Sequence, residues 1–143
     1  MKEITKHIKK ITMKQAISTT NAPAAIGPYS QATECGGTIY VSGQLPIDPA
    51  TGNFAGFCEE TKCSDIKAQA RQSLTNIKNI LAAAGKTVDD VLKVTVLLAD
   101  INDFAAVNEV YAEFFKAPYP ARSAFAVSAL PKGGRIEIEA IAG

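Results

Sequence analysis

Histidine is almost missing from this chain: His7 is the single copy in 143 residues. A histidine-based metal centre or a Ser/His triad has no source in the body of the sequence, and no metal site is expected. Cysteine is scarce too, with Cys35, Cys58 and Cys63 in no Cys-x-x-Cys spacing. An odd number of cysteines in a chain of this size points to reduced thiols and a cytosol-like compartment. No apolar run is long enough to cross a bilayer. A surplus of one charge sign is also lacking. The net charge is +1, which argues against a general nucleic-acid or anionic-membrane surface. Internal repeats and low-complexity segments are absent. What is present, 47% hydrophobic residues over 143 positions, suffices for one domain with a real core.

Residues 1–13, MKEITKHIKKITM, differ from the rest. Lys2, Lys6, Lys9 and Lys10 against Glu3 give a net charge of +3, leaving −2 for the following 130 residues. No apolar core follows the lysines, so a secretory signal is not indicated. The lack of arginine and serine weakens a mitochondrial address, and a cytoplasmic location is expected. The segment is expected to be a disordered, solvated extension, with residues 14–143 forming a single domain.

Residues 14–18 suit a short strand. Residues 29–34 and 38–42 read as two strands around the Gly36-Gly37 turn signal. Residues 53–62 carry no assignable pattern. A long helix then begins at Ser64 or Asp65, either of which can accept an orphan backbone N–H. Ile66, Ala70, Leu74, Ile77 and Leu81 form its apolar stripe, and Gly85 ends it in a left-handed conformation. Residues 91–99, VLKVTVLLA, are apolar on both faces and suit a central strand. A second helix, capped by Asn102 or Asp103, runs to about Lys116. Asn108 falls inside its apolar stripe, either as a structural amide or as a polar group aimed at a pocket.

The C-terminal stretch from Pro118 reads as a strand, a turn at residues 131–134 and a second strand, together a hairpin. In the last strand Ile136, Ile138 and Ala140 alternate with Glu137 and Glu139. If Phe125 and Val127 pack against the helices with Ile136 and Ile138, the opposite face gathers Arg122, Glu137 and Glu139 among small residues. A guanidinium beside Ala124 and Ala126 leaves room for a small anion. A solvated face with a cross-strand Arg–Glu pair, worth less than about 1 kcal/mol, fits that pattern as well, and the hairpin by itself favours it. The element order implies an α+β fold, with two helices on one face of a mixed sheet. The other face, neither core-like nor simply polar, suggests packing between copies.

Six motifs in order resemble the RidA/YjgF family of imine/enamine deaminases: NAPAAIGPYSQA (21–32), YVSGQLPIDPATG (40–52), QARQSLTNIKNILAAAG (69–85), VNEVYAEFF (107–115), PARSAF (120–125) and RIEIEAIA (135–142). The resemblance covers nearly everything from Lys14 onward. It implies a chorismate-mutase-like homotrimer, in which three sheets form a central barrel with helices outside and sites between subunits. It also implies substrate-binding roles for Tyr29, Ser42, Asn108, Arg122 and Ala124, and catalytic roles for Arg122 and Glu137. The implied substrates are enamine/imine products of serine or threonine dehydration, hydrolysed to 2-oxo acids and ammonia without a metal or other cofactor. Many members carry cysteine where this chain has Ala124, so only a backbone N–H contact carries over there. The stretch around residues 53–64 is longer than usual for the family.

The chemistry suits these side chains. Arginine can grip a carboxylate through two parallel hydrogen bonds, and a carboxylate can activate water and return a proton to the departing nitrogen. Glu139 shares a strand face with Glu137, so choosing Glu137 as the base rests on the family motif. For Tyr29 and Ser42 the residues alone favour a loop anchor and a strand-end hydroxyl bonded to backbone. Two other function classes stand beside the enzyme: a non-catalytic binder of small 2-oxo or other carboxylic acids, and an RNA-cleaving translation inhibitor, against which the balanced charge argues.

Overall fold

The structure, a computed structural model, describes the backbone of residues 1–143 and every side chain except those of residues 7 and 9–12. In chain order the elements are α1 (Lys2–Thr12), β1 (Gln15–Ile17), β2 (Ala32–Cys35), β3 (Thr38–Gln44), β4 (Phe57–Cys58), β5 (Cys63–Ser64), α2 (Ile66–Ala83), β6 (Val91–Leu98), α3 (Phe104–Phe114), β7 (Ala121–Ala126) and β8 (Ile136–Ala142). The fold is α+β, as the element order implies. A six-stranded sheet runs β1-β2-β3-β8-β6-β7, and β4 and β5 make a separate hairpin. The pairings in the large sheet are antiparallel except for β6 with β7. That parallel pair needs a crossover, which α3 supplies.

Local signals act where the sequence places them. Asp65 caps α2 by accepting from the N–H groups of Lys67 and Ala68. Gly85 follows the helix at φ +72°, which a residue with a Cβ rarely adopts. Asp103, expected as a cap of α3, makes no capping bond. Asp100 instead accepts from Asn102 N–H (2.9 Å) in the turn before the helix. Residues 2–12 are helical where a disordered tail is expected. Ile4, Ile8 and Ile11 recur at helical spacing, although Ile4 and Ile8 stay exposed. No helix among the described residues is long and apolar enough to cross a membrane.

The expected C-terminal hairpin does not form. β7 lies at the sheet edge beside β6, while β8 inserts between β3 and β6. Ile136, Ile138 and Ala142 are completely or almost completely buried, which a central strand satisfies and an edge strand would not. The same register corrects the expected faces. Arg122 pairs with Val94, itself opposite Ala140, and Ala124 pairs with Val96, opposite Ile138. Val94, Val96 and Ile138 belong to the core under the helices, so Arg122 and Ala124 lie on the helix side. Phe125 pairs with Leu97, opposite Glu137, so it shares the outer face with the glutamates. Parallel register with a buried strand, rather than the hydrophobicity of Phe125, decides which way β7 faces.

α2 packs on β3 and β8 and against α3, closing one core. The outer face of the sheet leaves Tyr40 50% and Phe125 48% exposed.

Candidate active site

The residues expected in the site fall into two groups on opposite faces of the sheet. Tyr29, Ser42 and Glu137 line a cleft of about 630 Å³, together with Gly43, Glu139 and Lys132. Arg122, Asn108 and Ala124 lie on the helix side at the β7 edge. Within one chain Arg122 and Glu137 are not brought together.

The cleft is built around an irregularity of β3. Val41 pairs with Ala140 but Gln44 pairs with Ile138, so β3 has one extra residue there. Val41 and Gln44 are both buried, and the bulge leaves Ser42 and Gly43 together at the cleft wall. Gly43 makes room for the acid. A Cβ built on it would lie 2.2 Å from Glu137 Oε1 and 3.0 Å from its carboxyl carbon. The Ser42 hydroxyl donates to the Ser30 carbonyl (2.6 Å), the backbone tie that the residue alone suggested, and its oxygen remains able to accept.

Tyr29, 53% exposed, sits on a loop that one buried side chain organises. Gln31 Oε1 accepts from Thr19 N–H (2.7 Å), and Gln31 Nε2 donates to the carbonyls of Thr19 (3.0 Å) and Pro23 (2.7 Å). On α2, Asn76 donates to the carbonyls of Ile47 (2.9 Å) and Leu45 (3.3 Å), holding the opposite wall. The N–H of Arg135 donates to Gln69 Oε1 (3.1 Å) at the start of β8. The Arg135 guanidinium donates to Ser64 O (2.6 Å) and to Asp103 Oδ1 (2.7 Å). Sequence patterns did not single out Gln31, Gln69, Asn76 or Gly43 for these roles. The usable signal for Gln69 and Asn76 was their position beside the apolar stripe of a helix.

Burial pushes the Glu137 carboxyl above the usual glutamate range, and the nearby charge of Glu139 adds to the shift. An acid so placed exchanges a proton closer to neutral pH. Arg122 is shaped differently. Its Nη1 donates to Asn108 Oδ1 (2.8 Å), and its Cζ lies 4.6 Å from the Tyr111 ring centroid and 5.3 Å from that of Phe104. The aromatic rings and the amide fix the plane of the guanidinium. Asn108 is thus a polar group aimed at a functional candidate. Phe104 and Tyr111, both on α3, complete this platform, a role that sequence patterns did not single out. With one Nη1 hydrogen engaged, the Nε/Nη2 edge can meet a carboxylate. Among the described residues, no three His, Cys, Asp or Glu side chains gather as a metal site.

Comparison with known proteins adds a second kind of observation. A family profile described as Endoribonuclease L-PSP matches residues 19–143. The chain is 57% identical over 132 residues to a goat (Capra hircus) protein named 2-iminobutanoate/2-iminopropanoate deaminase, covering 91% of this chain and 90% of the relative. A Salmonella typhimurium protein of the same name is 51% identical over 133 residues, covering 91% and 98%. The crystal structure of E. coli TdcF with bound serine superposes with a TM-score of 0.81 at 46% identity, covering 90% and 97% of the two chains.

Proposed function

The chain belongs to the endoribonuclease L-PSP family, the RidA/YjgF proteins, and from that membership we propose how its residues hydrolyse 2-imino acids to 2-oxo acids and ammonia. The activity itself follows from relatives at more than half identity named as 2-iminobutanoate/2-iminopropanoate deaminases. The observation that carries the mechanism is Glu137, a partly buried carboxyl with a raised proton affinity, set in a cleft beside Ser42 and against Gly43.

The Arg122 fork binds the substrate carboxylate and fixes the C=N carbon for attack, which removes much of the entropic barrier. Glu137 takes a proton from water as its oxygen adds to that carbon. The tetrahedral adduct then receives the proton on nitrogen, and ammonia leaves as the C=O bond forms and the hydroxyl proton passes to Glu137. A protonated imine is already electrophilic, so the scheme needs neither a metal nor another cofactor. Tyr29, the Ser42 oxygen and the Ala124 N–H orient substrate or water.

Arg122 and Glu137 on opposite faces cannot serve one substrate within a single chain. The site is therefore formed between copies, the Arg122 edge of one against the Glu137 cleft of the next. Exposed Tyr40 and Phe125 on the outer face support such packing, and the family resemblance implies a homotrimer. The serine in the E. coli TdcF structure supports a small amino-acid-like ligand.

The test uses imine generated in place by a dehydratase or an amino-acid oxidase, with 2-oxo acid and ammonia followed together. The expected result is faster release of both than in buffer alone. No acceleration, with an inert 2-oxo acid still bound, would replace the enzyme by a binding protein.

A further inference from the structure

We propose that Cys58 and Cys63 form a reactive thiol pair that gives up two electrons to small-molecule disulfides and closes to a cross-strand disulfide. The two residues are direct partners in the β4–β5 hairpin. Direct partners in an antiparallel pair have Cα atoms about 4.5–5.5 Å apart, within the separation that a disulfide spans. Both thiols are free and both are exposed, so reagent and leaving group have access. The hairpin is separate from the large sheet, and small adjustments at its tip disturb no core strand.

Its base is nevertheless fixed. The Asp65 N–H donates to Gly56 O (3.0 Å), and Ser64 O accepts from Arg135. The two cysteines therefore remain opposite each other in the reduced protein. The four-residue tip between them also differentiates the two sulfurs. The Thr61 hydroxyl, followed by the N–H groups of Thr61 and Glu60, points at Cys58 and holds its thiol below the usual cysteine range. Lys62 pairs with Glu59 on the same tip. Cys58 is thus the attacking sulfur and Cys63 the resolving one.

The chemistry balances as two exchanges. The Cys58 thiolate attacks one sulfur of a dialkyl disulfide, forming a mixed disulfide and expelling one alkyl thiolate. Cys63 then attacks the Cys58 sulfur, expels the second alkyl thiolate and gives up its proton to it. The cysteine pair is oxidised by two electrons, and the reagent is reduced to two thiols.

The test treats the full chain with oxidised glutathione and maps non-reduced peptides by mass spectrometry. The wild type should lose both thiol hydrogens and yield a Cys58–Cys63 cross-linked peptide that dithiothreitol reverses. Cys63→Ser should stop at a glutathione adduct on Cys58, whereas Cys58→Ser should react more slowly and give no intramolecular bond. A wild type that accumulates glutathione on Cys58 without closing the bond would overturn the proposal. So would cross-linking mainly through Cys35, or equal reaction rates for the two serine variants.

Discussion

At Arg122 a charge is held on the helix side of an edge strand by stacking and one amide. Lysine at this position would keep the charge but lose both the planar fork and the aromatic stacking. Arg122→Lys is expected to lower kcat/KM by roughly 1.5–3 kcal/mol, the worth of a charged hydrogen bond, mainly through a higher KM. Steady-state imine hydrolysis checks it, and wild-type kinetics would remove Arg122 as the carboxylate grip. Glu137→Gln keeps the shape and removes the base, so kcat should fall by about 10²- to 10⁴-fold while an inert 2-oxo acid still binds. The raised proton affinity of Glu137 also has a stability sign. Folding favours the neutral carboxyl, so its contribution is full below the ordinary glutamate value and is lost as pH rises through the raised one. The glutamine stays neutral throughout. Thermal unfolding should therefore show Glu137→Gln gaining on the wild type at neutral pH, with no such gain in acid.

Among the elements, α2 does more than cover the sheet. Its buried face includes Gln69, Ser73 and Asn76 beside the aliphatic stripe. Gln69 and Asn76 spend their hydrogen bonds on backbone that leads to the cleft. Asn76 also accepts from Gln72 Nε2 (2.8 Å). Replacing Asn76 with alanine would strip the Leu45 and Ile47 carbonyls of a donor in a dry region. Asn76→Ala should lower stability by about 1–3 kcal/mol, read from the denaturant midpoint, and raise KM because the cleft wall loosens. A variant as stable as the wild type would mean that the wall holds without this tie. α3 works differently. It is the crossover that allows β6 and β7 to run parallel, and it also presents Asn108 and the aromatic platform to Arg122. Fold connectivity and site geometry are therefore carried by the same eleven residues of helix.

For the whole molecule the decisive question is which chain supplies which half of a site. If the Arg122 edge of one copy meets the Glu137 cleft of another, Arg122→Ala and Glu137→Gln subunits are each inactive alone. Co-assembled in equal amounts into trimers, they should regain about a quarter of wild-type activity, because mixed rings contain one intact site. The check is to unfold and refold the two variants together and to assay the mixture against each variant refolded alone. No recovery in demonstrably mixed oligomers would mean that each site lies within one chain. Light scattering on the wild type gives the companion result, expected to be a trimer.

Much of the fold was legible because its signals are local. Alternation marked the strands, Asp65 and Gly85 bounded α2, and Gly36-Gly37 turned β2 into β3, since caps and turns act on φ, ψ and N–H groups within a few residues. The motifs around Tyr29, Ser42, Asn108, Arg122 and Glu137 were equally plain in the sequence and pointed to the family. What the sequence did not reveal was how these residues are divided between two faces. That depends on β8 inserting between β3 and β6, on β7 taking its register from β6, and on the bulge that places Ser42 and Gly43 side by side. Such choices are made by burial and pairing between segments far apart in the chain. A strand's alternation says that it has two faces, but only its neighbours decide which face is covered.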